Sequence, residues 1–329
     1  MITLIQSSNN TKLYYDLIDT DLGNYKSISK KLQNWIVNNS ESQDLDIVEY
    51  IKENIEEIIT SLPRKLQLFI NEFINKGFQN RIYDSTEEEL QSIGKELEKI
   101  FNYKSFRSSK KAIWLAKTIN IKSCVTCNTQ FALTTHKKGE EKLLFHLDHY
   151  FPKSVYPYLS LSYYNLIPCC ASCNMGKSNK IFTLENNIHP YLESFHEIAA
   201  FKIKKESLLK YLINTKENED LIRYEVNLRE KYIDNDKYEE KLNNYLREYR
   251  IEEQYIQFKD VASELFLKSK YYHKSRRKEI IDFFECEGIK VSHELIKRFI
   301  IGNYYQDKDL LKRPLAKFTQ DIAKQLKLI

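Results

Sequence analysis

Two Cys-x-x-Cys pairs constrain this chain more than any other feature: Cys124 with Cys127, and Cys170 with Cys173. A two-residue gap lets both thiolates of a pair reach one tetrahedral ion, and two such pairs complete a four-sulfur zinc shell. The spacer, residues 128–169, is longer than simple zinc ribbons use. On this reading a structural Zn²⁺ clamps the start of a first strand to the start of a helix, stabilising a module with little core of its own. The plain alternative is two pairs of buried free thiols. Cys169 competes with Cys170 as a ligand, but only Cys170 with Cys173 keeps the two-residue gap, which makes Cys169 the spare. Cys286 stands alone and reads as a small buried hydrophobe.

The rest of the chain reads as mainly α. Charged residues make up 29% of the 329 positions, and the 7 glycines and 6 prolines are few, a balance that favours long helices over a sandwich. Apolar periodicity gives helices over about 10–37, 44–61, 63–77, 86–101 and 107–119. After the cysteine-rich segment it gives helices over 193–212, 217–232, 235–269, 274–286, 291–303 and 307–328. Leu45, Val48, Ile51, Ile55, Ile58 and Ile59 form one stripe, the mark of a helix packed on one face. Ser85-Thr86 before three glutamates reads as a helix start. Strands are expected only near 130–135 and 142–147, with Lys137–Glu140 as the turn. The organisation expected is a helical region over 1–120, a small metal-stabilised module over 121–190 and a second helical region over 191–329. No apolar run is long enough for a membrane span and no signal-peptide pattern opens the chain. Paired cysteines of this kind suit a reducing cytoplasm.

Three blocks carry a resemblance: CVTC at 124–127, HLDHYFPKS at 146–154 and NLIPCCASCNMGKSNK at 165–180. Together they resemble the HNH endonuclease superfamily. The resemblance implies a ββα-metal fold in which two strands and a helix grip one divalent ion beside a general-base histidine. Phosphodiester hydrolysis needs a deprotonated water and positive charge at the transition state and leaving oxygen. Asp148 and Asn174 offer hard oxygen ligands, which suit Mg²⁺ or Mn²⁺ with several waters retained. His149, with an ordinary imidazole pKa of about 6.5, suits the general base. Neighbours on a strand point to opposite faces, so Asp148 and His149 could not both face one phosphate from a flat regular strand; the strand should end or bulge there, and Pro152 fits such an end. The resemblance assigns Asn165 to holding the loop near the base and Asn174 to the metal. The family's third signature position is often histidine and here is asparagine.

Other residues have competing readings. His146 shares the alternation of Asp148, yet a lone strand histidine is commonly a packing residue. His189 before Pro190 reads as a turn position or a further ligand. Lys153, Lys177 and Lys180 are candidates for nucleic-acid contact. Lys177 and Lys180 sit one turn apart on the expected helix, whose N-terminus would also favour phosphate, against the alternative of a solvated lysine face.

Net charge is uneven: 16 Lys+Arg against 17 Asp+Glu over 1–120, 7 against 4 over 121–190, and 28 against 25 over 191–329. Local patches must therefore supply any affinity for nucleic acid. Tyr103–Trp114 and Lys268–Lys278 both interleave basic and aromatic residues. The activity expected is metal-dependent cleavage of DNA. A zinc-stabilised binding module without catalysis is the alternative. In architecture the chain resembles the nuclease subunits of Septu-type anti-phage systems, which implies an ATPase partner, since no Walker motif is present here. A restriction-type or mobile-element nuclease is the other reading.

Overall fold

The computed structural model of this chain describes residues 2–5, 7–21, 26–213 and 219–329. It is mainly helical, and its named strands form four two-stranded antiparallel pairs. Among the described residues no helix is long and apolar enough to cross a membrane. Contacts group the chain into two units, one of residues 3–120 and 132–192, the other of residues 121–131 and 193–329 with Ile2. This grouping differs from the three consecutive segments drawn from the sequence.

The first unit begins with α1 (Ser8–Ile18), α2 (Ile28–Asn38), α3 (Leu45–Glu53), α4 (Ile55–Thr60), α5 (Pro63–Asn75) and α6 (Phe78–Ile82). A short hairpin, β1 (Tyr83–Asp84) with β2 (Glu89–Leu90), precedes α7 (Ser92–Phe101), α8 (Tyr103–Arg107) and α9 (Lys110–Ile119). Then come the hairpin β3 (Thr134–Lys137) with β4 (Glu140–Leu143), the pair β5 (His146–His149) with β6 (Leu166–Cys169), and α10 (Ala171–Lys177). The stripe of Val48, Ile51, Ile55, Ile58 and Ile59 is buried as periodicity requires, but Asn54 divides it between α3 and α4. The expected 10–37 helix is likewise two helices; residues 22–25 of that stretch lie outside the described residues. Ser85-Thr86 does not start a helix. The Asp84 carboxylate accepts from Thr86 N at 2.8 Å and Glu87 N at 3.2 Å, holding the hairpin turn instead, because a local side-chain acceptor competes with helix initiation. The core holds Tyr14, Phe73, Phe101 and Tyr158, with Phe73 and Tyr158 stacked at 4.1 Å.

The second unit comprises residues 121–131, α11 (Phe195–Ile198), β7 (Ala199–Ile203), α12 (Lys205–Ile213), β8 (Tyr224–Leu228), α13 (Asp236–Glu248), α14 (Ile251–Tyr255), α15 (Lys259–Tyr271), α16 (Lys274–Cys286), α17 (His293–Ile301) and α18 (Ala316–Gln325). The helices expected over 193–212 and 217–232 are replaced in part by β7 and β8, which pair from Ala199↔Leu228 to Ile203↔Tyr224; residues 214–218 lie outside the described residues. Ala199, Phe201 and Ile203 are buried while Lys202 is exposed, the period-2 signature of a half-buried strand. Phe201 packs on Tyr255 at 4.3 Å and on Phe318 at 5.4 Å. The Asp321 carboxylate on α18 accepts from Phe201 N at 3.0 Å and pairs with the fully buried Lys317. Cys286, expected inside, is exposed.

His196 on α11 lies 3.3 Å from Asp307. Burial, with Lys317 adding to it and Asp307 and Asp321 opposing, pushes its pKa down to about 4. Between the ordinary value near 6.5 and 4 the unfolded chain binds the extra proton, so this contribution is complete above pH 6.5 and is lost as pH falls toward 4. The expected loss is on the order of 3 kcal/mol. Urea unfolding of the wild type and His196→Gln between pH 4.5 and 7 checks it, the variant showing the flatter dependence.

Candidate functional site

The first cysteine pair lies in a tight turn. Cys124 N donates to Gln130 O at 2.9 Å and Cys124 O accepts from Asn128 N at 2.9 Å. Asn128 adopts φ 55°, a left-handed geometry that asparagine tolerates better than most residues. Its buried amide is fully employed: Nδ2 donates to Ser123 Oγ at 2.9 Å and Leu310 O at 3.1 Å, and Oδ1 accepts from Lys317 N at 3.0 Å. Tyr255 Oη donates to Cys127 O at 2.7 Å, and Tyr245 Oη donates to Thr126 O at 2.5 Å. Cys127 Sγ accepts from Thr129 N at 3.4 Å and lies 3.1 Å from Thr129 Oγ1, whose hydroxyl donates to Gln254 Oε1 at 2.9 Å.

The second pair brackets the start of α10, with Cys170 at the N-cap and Cys173 in the helix. The Sγ atoms of Cys124, Cys127, Cys170 and Cys173 all lie within 4.8 Å of one another, and all four residues are buried. This is the ligand set expected from the sequence, with Cys169 outside it. A buried cluster of four sulfurs at this spacing can hold a structural zinc.

β5 and β6 run antiparallel with His146↔Cys169, Leu147↔Pro168, Asp148↔Ile167 and His149↔Leu166. β5 ends at His149, with Asp148 and His149 both still paired in regular register with β6. Exposure alternates along it: His146 is exposed, Leu147 buried, Asp148 half-buried and His149 buried. Asn165 is completely buried and works as a clamp. Its Oδ1 accepts from Phe151 N at 2.7 Å, while Nδ2 donates to Phe151 O at 3.0 Å and Leu159 O at 2.9 Å. The loop after His149 is therefore tied at both ends.

The His149 ring sits edge-on to Tyr103 at 4.4 Å. Its Nε2 is 2.9 Å from Ser160 O; a carbonyl only accepts, so Nε2 carries the proton and the lone pair is on Nδ1. Burial pushes its pKa down to about 3, opposed by the Ser160 bond, and the imidazole is neutral at pH 7. Tyr103 Oη also donates to Leu147 O at 2.9 Å, and Arg107 donates to Phe145 O. Trp114 stacks on Tyr14. Much of the Tyr103–Trp114 patch is thus used inside the fold. Tyr103, read in the sequence only as part of a basic and aromatic patch, and Ser160, in the loop between two of the motif blocks, were not linked to His149 because only folding brings them to its ring.

Lys177 is corrected as a phosphate ligand. It is fully buried, its Nζ donating to His149 O at 2.6 Å and lying 3.6 Å from Asp148 Oδ1. α10 ends at Lys177, and Ser178 turns away with φ 50°, so the exposed Lys180 shares no helical face with it. Lys153 is half-buried, 3.4 Å from Glu98. His189 is buried, and its Nδ1 accepts from Tyr191 N at 3.2 Å, which is a turn role.

Burial raises the Asp148 pKa and lowers that of Lys177, each opposed by the other's charge. Lys177→Met would leave the carboxylate without its counter-charge. The expected cost is about 3 kcal/mol, read from urea unfolding without divalent metal.

No family model matches the chain, and no solved structure matches it. Over 50 residues the chain is 38% identical to protein ea31 of Escherichia phage lambda, covering 14% of this chain and 17% of ea31. The chain thus spans about a sixth of the length of that relative.

Proposed function

We propose that this chain is a metal-dependent endonuclease of the HNH type that hydrolyses phosphodiester bonds in DNA. One observation carries the reading: β5 ends on Asp148-His149, β6 pairs with it, and α10 follows at once with Asn174 in its middle. That order of two strands and a helix is supported by Asn165 clamping the loop after His149. Asp148 and Asn174 are oxygen donors carrying one negative charge, a set that suits a water-rich Mg²⁺ or Mn²⁺. The metal would supply positive charge to the transition state and leaving oxygen.

His149 Nδ1 would take the proton from the attacking water. The neutral ring is the form a base requires, and a phosphodiester beside it would raise its low pKa toward the working pH. Lys177 holds the His149 carbonyl and faces Asp148, so it orients the strand end instead of binding substrate. The four cysteines hold structural Zn²⁺, and Lys180 and Lys153 remain candidates for DNA phosphate.

Supercoiled plasmid incubated with the protein and Mg²⁺ or Mn²⁺ should be nicked or linearised with 5′-phosphate ends. DNA binding without nicking under either metal would instead support a zinc-stabilised binding module. In the cell we assign the nuclease to anti-phage defence beside an ATPase, on architecture. Likeness over 50 residues to a phage protein favours a mobile-element nuclease as the second reading. Purification from the native host distinguishes them, an ATPase partner supporting the first.

A further inference from the structure

The basic stretch Lys268–Lys278 has no part in the proposed cleavage, and the first turns of α16 place some of it around a cavity of about 680 Å³. Lys274, Arg277 and Lys278 come from α16, Lys297 from α17, and Lys327 from the C-terminal end, while Ile281 and Ile296 add apolar lining. No Asp or Glu side chain lines it. Arg277 donates to Leu328 O at 2.6 Å, and Lys297 lies 5.8 Å from the Tyr305 ring. Lys274, Lys278, Lys297 and Lys327 have no ion-pair partner among the described residues.

A second observation points the same way. α16 has 13 residues, no side chain capping its N-terminus and no acidic residue in its first turn. The positive end of a helix favours an anion, yet here the charged side chains of the first turn are all cationic. Five like charges around one cavity repel one another and a helix end, and a multiply charged anion relieves both costs.

We propose that this cavity binds the phosphate groups of a nucleotide, whether free or at the 5′ end of a nucleic-acid strand. The phosphates lie at the α16 N-terminus among the lysines, and the base or sugar packs on Ile281 and Ile296. A bare phosphate would leave most of the volume empty, whereas the size falls within the usual 300–1,000 Å³ range of small-molecule sites.

The test uses the full chain carrying Asp148→Asn, so that cleavage does not enter, titrated with ATP, with a 5′-phosphorylated hexanucleotide and with inorganic tripolyphosphate. Saturable one-to-one binding of ATP or the oligonucleotide is expected, and which of the two binds identifies the source of the phosphate. Tripolyphosphate should bind at least about tenfold more weakly. Lys274→Glu and Lys278→Glu alter exposed side chains and should each weaken binding at least about tenfold, while Lys210→Glu, exposed and outside the cavity, leaves it unchanged. Absence of saturable binding, equal weakening by Lys210→Glu, or tripolyphosphate matching the nucleotide would each overturn the assignment.

Discussion

Cys173→Ser is expected to strip the chain of zinc and to lower its melting temperature by at least about 10 °C. The expectation follows from the donor set. Four buried sulfurs within 4.8 Å of one another can hold one ion in a closed four-sulfur shell, and serine offers a hard oxygen where a soft thiolate is needed. Structural zinc contributes on the order of 10 kcal/mol of apparent binding free energy in small domains, so losing it should far exceed an ordinary core substitution. Cys169→Ser is the internal control, since Cys169 is buried on β6 but outside the cluster. Metal analysis of the purified protein should give one zinc per chain in the wild type and Cys169→Ser, and none in Cys173→Ser. A wild type without zinc, melting no higher than Cys173→Ser, would return the cluster to four free thiols.

The parts of the site legible in the sequence were those fixed by short-range chemistry. Two-residue cysteine gaps selected Cys170 over Cys169, and Pro152 marked the end of the strand that carries Asp148 and His149. What could not be read depends on contacts between residues distant in sequence. β7 and β8 pair across an intervening helix, so neither segment's local composition revealed its partner, and helix-forming residues nearby dominated the reading. Lys177 failed for a related reason. A lysine ending a short polar helix looks solvated, and its burial follows only from Asp148 and the His149 carbonyl. His149 stood out in the sequence as a candidate base, but its place between Tyr103 and Ser160 arises only on folding.

That burial changes how loss of cleavage must be tested. His149→Ala is expected to slow plasmid cleavage by roughly 10²- to 10⁴-fold, the usual contribution of a general base. It would also empty the space beside Tyr103 and leave Ser160 O without its donor, at a cost of about 2–4 kcal/mol. Loss of activity alone would therefore not separate a missing base from a loosened site. His149→Gln separates them. Its amide Nε2–H can still reach the Ser160 carbonyl, but an amide has no nitrogen basic enough to take a proton from water. The expected result is cleavage as slow as in His149→Ala with a melting temperature within about 3 °C of wild type. Asp148→Asn should be equally inactive and should bind Mg²⁺ more weakly by calorimetry, because it removes the one anionic oxygen donor of the proposed metal site. Zinc content should be unchanged in all three variants. A His149→Gln protein that keeps its stability and cleaves at the wild-type rate would remove His149 from the chemistry. If Asp148→Asn stayed active as well, β5, β6 and α10 would be a scaffold around the cysteine cluster without a nuclease site.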